Sequence, residues 1–147
     1  MLLARHPRHP PKVNTTLAGF VEVGETFESC VAREVFEEVG IHIDADSVQY
    51  ITSQPWPYPQ SSMIGFTAVA DASQPLMLDE EEITSAGWFT REEVAKAIAV
   101  NAKTIDAAAT AAVLEKDPSL TLLVPPIGTI ARILIETWAN NRKKSAV

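Results

Sequence analysis

One window constrains this chain more than any other: Gly19, five residues, Glu25, seven residues, then Arg33-Glu34-Val35-Phe36-Glu37-Glu38-Val39-Gly40-Ile41. Thr26 follows a glycine-containing turn and is placed to cap a helix, with Glu28 in the first turn where the macrodipole favours an anion. Phe27, Val31, Val35 and Val39 recur at helical spacing, an apolar face for a sheet to cover. Gly40 then stands where a glycine commonly ends a helix.

The acidic residues of that helix carry the chemistry. Glu34, Glu37 and Glu38 stand at i, i+3 and i+4, so their carboxylates share one face. Anions this close repel one another, and burying them unpaired is costly. A hard cation resolves the conflict, because Mg²⁺ and Mn²⁺ take carboxylate oxygens together with substrate phosphates. Arg33 can hold a neighbouring carboxylate through a two-pronged hydrogen bond. Three spaced glutamates alone would read as a solvated helix face. Gly19, Glu25, Arg33 and Gly40 in register with them turn the reading towards a metal and diphosphate site.

Composition bounds the rest. A chain of 147 residues, 46% hydrophobic, fits one domain with a real core and not a disordered segment. A formal charge of −7 disfavours sequence-independent grip on nucleic acid, which needs a basic surface. Cys30 is the single cysteine, so no intrachain disulfide and no cysteine zinc site can form. No signal peptide or transmembrane run is visible, and an intracellular, cytoplasmic protein is expected.

Along the chain, residues 1–5 read as a strand, followed by a basic, proline-rich loop from His6 to Lys12. Within it His6, His9, Arg5, Arg8 and Lys12 could meet a phosphate, although an ordinary solvated loop is the simpler reading. Residues 15–23 read as a second strand, 48–53 as a short strand, and 63–70 as a longer one, apolar enough to be central. Residues 87–89 form a short strand before a helix starting at Thr90. The alanine-rich stretch 95–115 reads as helix until Pro118 stops it, residues 120–126 as extended chain. Thr129 caps a last helix with Ile130, Ile133, Leu134 and Trp138 on one face. Strands interleaved with helices indicate an α+β protein, an α/β/α sandwich.

A second motif follows the first: Ser53-Gln54-Pro55-Trp56-Pro57-Tyr58-Pro59-Gln60-Ser61. Three alternating prolines exclude helix and preset an extended loop that loses little entropy on binding. Trp56 and Tyr58 offer flat faces to a nucleobase or nicotinamide ring, and base–aromatic stacking is worth ~1–3 kcal/mol. Gln54 and Ser61 can hydrogen-bond amide or ribose groups. A rigid turn with its aromatics packed into the core is the alternative reading.

The first window matches every fixed position of the Nudix box, and the second closely resembles the Ser-Gln-Pro-Trp-Pro-Phe-Pro-x-Ser signature of the NADH pyrophosphatases. That Nudix subfamily is also linked to removal of NAD caps from RNA. The resemblance continues in residues 2–5, 17–25 and 125–132, leaving out only about residues 95–121. It implies a Nudix fold with a mixed β-sheet. Nudix domains usually have another strand before the one at residues 1–5, so the chain is expected to be a single Nudix domain lacking its first strand, the C-terminal part of a longer protein.

Residue roles can be carried over by position. The resemblance implies metal binding, two or three Mg²⁺ or Mn²⁺ ions, by Glu34, Glu37 and Glu38, by the backbone carbonyl of Ala18, and by Glu82, with Glu81 as the neighbouring alternative. Taken alone, residues 79–82 would be a solvated acidic loop. Substrate contacts fall on Phe20, Gln54, Trp56, Tyr58, Ser61 and Ala131. Arg33, Glu34, Glu37 and Glu38 make up the catalytic group, with Glu37 or Glu82 as the base that deprotonates the attacking water. The implied reaction is hydrolysis of the pyrophosphate bond of NADH or NAD⁺, giving AMP and nicotinamide mononucleotide. Implied partners are the dinucleotide, a second copy of the chain in a homodimer, and the 5′ end of an NAD-capped RNA.

The chain departs from the subfamily in places. The N-terminal domain and four-cysteine zinc ribbon are not in this sequence, and no zinc is expected. Tyr58 stands where phenylalanine is usual, and the insert near residues 95–121 is longer. Some eukaryotic members are peroxisomal, but Ser145-Ala146-Val147 departs from Ser-Lys-Leu at two positions. Two competing functions follow: a Nudix enzyme acting on another nucleoside diphosphate derivative, such as ADP-ribose, a dinucleoside polyphosphate or NAD-capped RNA, and a catalytically silent nucleotide-binding module. The complete set of glutamates argues against the second.

Overall fold

A computed structural model describes residues 1–100 and 107–141. Part of the alanine-rich stretch and the Ser145–Val147 tripeptide lie outside the described residues. The elements in chain order are β1 (Leu2–Arg5), α1 (Phe27–Val39), β2 (Ile43–Trp56), β3 (Ser61–Ala70), β4 (Ser85–Trp88), α2 (Arg91–Ala99), α3 (Ala107–Lys116) and α4 (Ile130–Asn140). The α+β class expected from the sequence holds.

The strands form two antiparallel ladders. β1 pairs with β4 from Leu2↔Trp88 to Arg5↔Ser85, and β2 pairs with β3 from Ile43↔Ala70 to Trp56↔Ser61. Parallel pairing among the described residues is confined to an isolated bridge, Val13↔Leu123. β1 is covered on both faces, as its successive buried residues show. Leu3 enters a cluster with Val94, Ala97, Leu122, Val124 and Ile135, while Ala4 joins Val39, Ile41 and Ile83. The second cluster matters most here, because it joins the end of α1 to the segment after the acidic run 79–82.

Both ends of α1 follow from local chemistry. The Thr26 side chain accepts from the Ser29 amide at 3.1 Å, and the Gly40 amide donates to the Phe36 carbonyl at 2.8 Å. Gly40 is left-handed (φ 73°), and a Cβ there would lie 2.8 Å from the Cβ of Met77. The apolar face sinks along the helix, from an exposed Phe27 to a fully buried Val39. α2 starts with a capping box between Thr90 and Glu93, and α4 with a Thr129 side chain that accepts from the Arg132 amide.

Several expectations need correction. Residues 15–23 are not a strand; Thr15 makes one isolated bridge to Ala4. Side chains of the box region take up the backbone groups a ladder would need. The Glu22 amide donates to Glu25 Oε1 at 2.7 Å, and the Phe20 carbonyl accepts from Arg33 Nη2 at 3.0 Å. β3 is not central, since among the described residues it pairs with β2 alone, and Gly65 is its one buried residue. A Cβ on Gly65 would lie 3.0 Å from Leu134, so the absence of a side chain there lets α4 approach closely. The alanine-rich stretch is not one continuous helix, since α2 stops at Ala99 with Val100 as its C-cap; residues 101–106 lie outside the described residues, and Ala107–Lys116 is helical as α3. On α4, Ile133 faces outward and Ile135 is fully buried instead. Among the described residues no helix is long and apolar enough to cross a membrane.

Candidate active site

Arg33 organises the outer part of the box. Its guanidinium reaches Glu25 (Nε–Oε2 3.1 Å, Nη2–Oε1 2.6 Å), Glu34 (2.8 Å) and Glu37 (2.9 Å), besides the Phe20 carbonyl. The fork geometry of arginine makes this spread of acceptors feasible; a lysine point charge could not cover it. The Arg33 contact holds the Glu25 carboxyl down at about 2, helped by the Glu22 amide. Glu25 is therefore a structural anion that ties the loop before α1 to the helix.

Glu38 is the opposite case. It points into the protein, 5% exposed, and its Oε2 is buried with no hydrogen-bond partner. Burial raises its carboxyl to about 7, reinforced by the nearby anions Glu34, Glu82 and Asp79 and opposed by a backbone hydrogen bond from Ala18. The acidic run is held next to α1 by main-chain bonds. The Asp79 amide donates to the Glu38 carbonyl at 3.1 Å, and the Met77 amide to the Val39 carbonyl at 2.9 Å. Within the run, the Ile83 amide donates to the Asp79 carbonyl at 2.7 Å and carries Ile83 into the core beside Val39.

Glu34 and Glu82 also line a cleft of about 590 Å³, together with Ala18, Gly19, Phe20 and Glu81, and with His6 and Arg8 from the basic loop. Gly19 belongs there for a steric reason: a Cβ would overlap the Glu34 carboxylate at 1.8 Å. Phe20 is strongly exposed. Both alternatives for the downstream acidic ligand reach the cleft, but Glu82 is the one whose charge acts on Glu38.

The remaining sequence-predicted residues gather elsewhere, at the end of the β2–β3 hairpin and the start of α4. Trp56 and Tyr58 are 48% and 74% exposed and meet edge to face at 5.6 Å, so their rings are not core. Ser61 faces Trp56 across the ladder. Gln54 uses both ends of its carboxamide on the backbone, donating to the Gly128 carbonyl at 2.7 Å and accepting from the Ile130 amide at 2.9 Å. It thereby joins the aromatic hairpin to the first turn of α4, where Ala131 sits half-buried. Sequence reasoning sets the basic loop aside as solvent-facing. The His6–Lys12 charge run is the available signal, but nothing local says that its turn folds over the cleft.

The donor set suits a divalent cation. Among the described residues no three acidic, histidine or cysteine side chains converge at ligating distance, because Arg33 draws Glu34 and Glu37 to itself. Yet the orphaned, buried Glu38 Oε2 beside two further carboxylates is what an all-oxygen cation site requires.

The NUDIX domain family model matches residues 1–108. The chain belongs to the Nudix family. Its box is thus residues 19–41, and the use of divalent metals comes with the family. The NAD-capped RNA hydrolase NudC of Mycobacterium bovis is 43% identical over 138 residues, covering 94% of this chain and 40% of that protein. The NAD-capped RNA hydrolase NudC of Citrobacter koseri is 42% identical over 136 residues, 92% of this chain and 41% of its own length. The chain therefore spans about 40% of the length of the curated relatives it matches. A solved MutT/nudix family protein from Enterococcus faecalis aligns with 60% of this chain and 35% of its own, at 24% identity and TM-score 0.48.

Proposed function

We propose that this Nudix domain hydrolyses the pyrophosphate bond of NADH or NAD⁺, as a free dinucleotide or as the cap of an RNA, to AMP and nicotinamide mononucleotide or their RNA-linked equivalents. The observation that carries the reading is the buried Glu38 carboxyl, whose Oε2 has no partner and which is crowded by Glu34 and Glu82, two residues that line an open cleft. Two NudC relatives named as NAD-capped RNA hydrolases support the substrate class.

In this reading Glu34, Glu37, Glu38 and Glu82, with the Ala18 carbonyl, hold two or three Mg²⁺ or Mn²⁺ ions. When bound, such ions neutralise phosphate oxygens and favour an ionised water. The chain's own residues do the rest. Arg33 fixes the carboxylates of Glu34, which lines the cleft, and of Glu37. A carboxylate, Glu37 or Glu82, takes the proton of the attacking water. The water oxygen bonds to one phosphorus, the bridging P–O bond breaks, and the departing nucleotide leaves as its 5′-monophosphate. Phe20, Trp56, Tyr58, Ser61 and Ala131 hold the two nucleoside ends, the exposed rings by stacking. Gln54 contributes by fixing the hairpin against α4. A homodimer and an intracellular setting belong to the same reading, and Phe27, Tyr50 and Val69 are apolar side chains left exposed.

Steady-state hydrolysis of NADH, NAD⁺, ADP-ribose and NAD-capped RNA, with Mg²⁺ or Mn²⁺ and AMP or 5′-monophosphate RNA as the readout, tests this. A preference for the NAD-containing substrates is expected. Preference for ADP-ribose would keep the chemistry and remove the substrate assignment, and ADP binding without turnover of any of the four would favour the silent module.

A further inference from the structure

Arg8 is a permanent cation at the cleft that no group among the described residues pairs with. It lines the cleft together with Glu34, Glu81 and Glu82, is exposed, and makes no ion pair or hydrogen bond among the described residues. The neighbouring cations are committed. Arg33 is spread over Glu25, Glu34, Glu37 and the Phe20 carbonyl. Arg5 Nη1 donates to the His9 carbonyl at 3.4 Å, and Lys12 Nζ to the Leu120 carbonyl at 2.8 Å.

The turn that carries Arg8 is built rather than loose. The His9 amide donates to the His6 carbonyl at 2.9 Å, closing the turn around it, and the two imidazoles pack edge to face at 6.2 Å. Downstream, Lys12 adopts a left-handed conformation (φ 65°). Its carbonyl accepts from the Leu123 amide at 2.8 Å and from Asn14 Nδ2 at 3.0 Å. Upstream, β1 is locked against β4. The entropy of ordering this turn is therefore spent in folding and not in binding.

We propose that Arg8 grips the diphosphate of the substrate, a nucleoside diphosphate derivative, from the basic wall of the cleft. The inference rests on the diphosphate-hydrolase reading above. A diphosphate entering the cleft meets Glu22, Glu34, Glu81 and Glu82, and phosphate oxygens turned away from those carboxylates need a donor. A planar guanidinium matches two phosphate oxygens at once, and Arg8 is the arginine at the cleft whose fork is free.

The test is calorimetric binding of ADP in Mg²⁺ to the wild-type chain, Arg8→Ala and Arg8→Lys, together with KM for NADH and for NAD-capped RNA. Expected are a ~10–100-fold loss of ADP affinity in Arg8→Ala, a KM rise of similar size for both substrates, partial recovery in Arg8→Lys, and an unchanged Tm. Unchanged ADP affinity overturns the proposal. That includes the case where only capped RNA suffers, which would assign Arg8 to the RNA chain. A wild type that binds ADP but hydrolyses nothing removes the hydrolase reading, while the affinity comparison still decides Arg8. A wild type that fails to bind ADP overturns both.

Discussion

The Glu34 carboxylate fills the space that a side chain on Gly19 would need: a Cβ there would lie 1.8 Å from Cδ of Glu34 and 1.9 Å from its Oε2. The carboxylate rests directly on the backbone of the loop that carries Ala18, so the two enter the cleft together. Gly19→Ala must push Glu34 off this position, and an ångström of misplacement at a reacting centre costs on the order of 10²-fold. Turnover is expected to fall by about that factor, with Tm little changed because Gly19 is exposed. Full activity in Gly19→Ala would remove Glu34 from the site.

Glu38→Gln separates activity from stability. Losing a positioned acid or base typically costs ~10²–10⁴-fold in rate. Stability moves the other way. The Glu38 carboxyl goes from 4.5 in the unfolded chain to about 7 in the fold. The folded state thus holds a proton that the unfolded chain releases, and wild-type stability falls as pH rises from 4.5 through 7. In EDTA the glutamine variant should exceed wild type above pH 7 by at most ~3 kcal/mol, and the gap should close below pH 4.5. Denaturant titrations at pH 4.5 and 8 check this, and saturating Mg²⁺ should shrink the difference at pH 8.

Arg33→Lys keeps the charge and loses the fork. A single ammonium cannot hold Glu25, Glu34, Glu37 and the Phe20 carbonyl together, so kcat is expected to drop ~10–100-fold. The same contact predicts acid behaviour. Glu25 is held at about 2 against 4.5 unfolded, so its contribution is complete above pH 4.5 and lost as pH falls towards 2. Between pH 5 and 2 the Tm of wild type should fall more steeply than that of Glu25→Gln. Parallel profiles would contradict the assignment.

Trp56 stands half out of the fold, so truncating it should cost binding and not folding. Losing one base–aromatic stack is worth ~1–3 kcal/mol, roughly a 5- to 150-fold rise in KM. Trp56→Phe should recover most of it. KM for NADH measured beside thermal melts separates this from a packing role, which would lower Tm instead.

Much of the box is legible in the residues themselves. α1 lies between Thr26 and Gly40 because a hydroxyl cap and a left-handed glycine act on their own neighbours. The prolines around Trp56 keep that run out of helix for a similarly local reason. The strand expected at residues 15–23 fails for a non-local one. Its backbone partners come from Arg33, well downstream, and from a glutamate drawn aside by that same arginine. Gln54 reads as a free carboxamide in the sequence, whereas in the fold residues 128–130 pack against it and occupy both its ends.

The amino-acid order sets most of the elements and the carboxylate spacing, since capping, helical period and proline sterics reach only a few residues. Packing decides what each group becomes. Glu37 and Glu38 are neighbours in sequence. One stays at the surface on Arg33, while the other is buried against residues 79–82, which main-chain bonds bring to the end of α1. The same folding brings Arg8 to the wall of the cleft. Burial and electrostatics depend on contacts between segments tens of residues apart, and no local pattern encodes them.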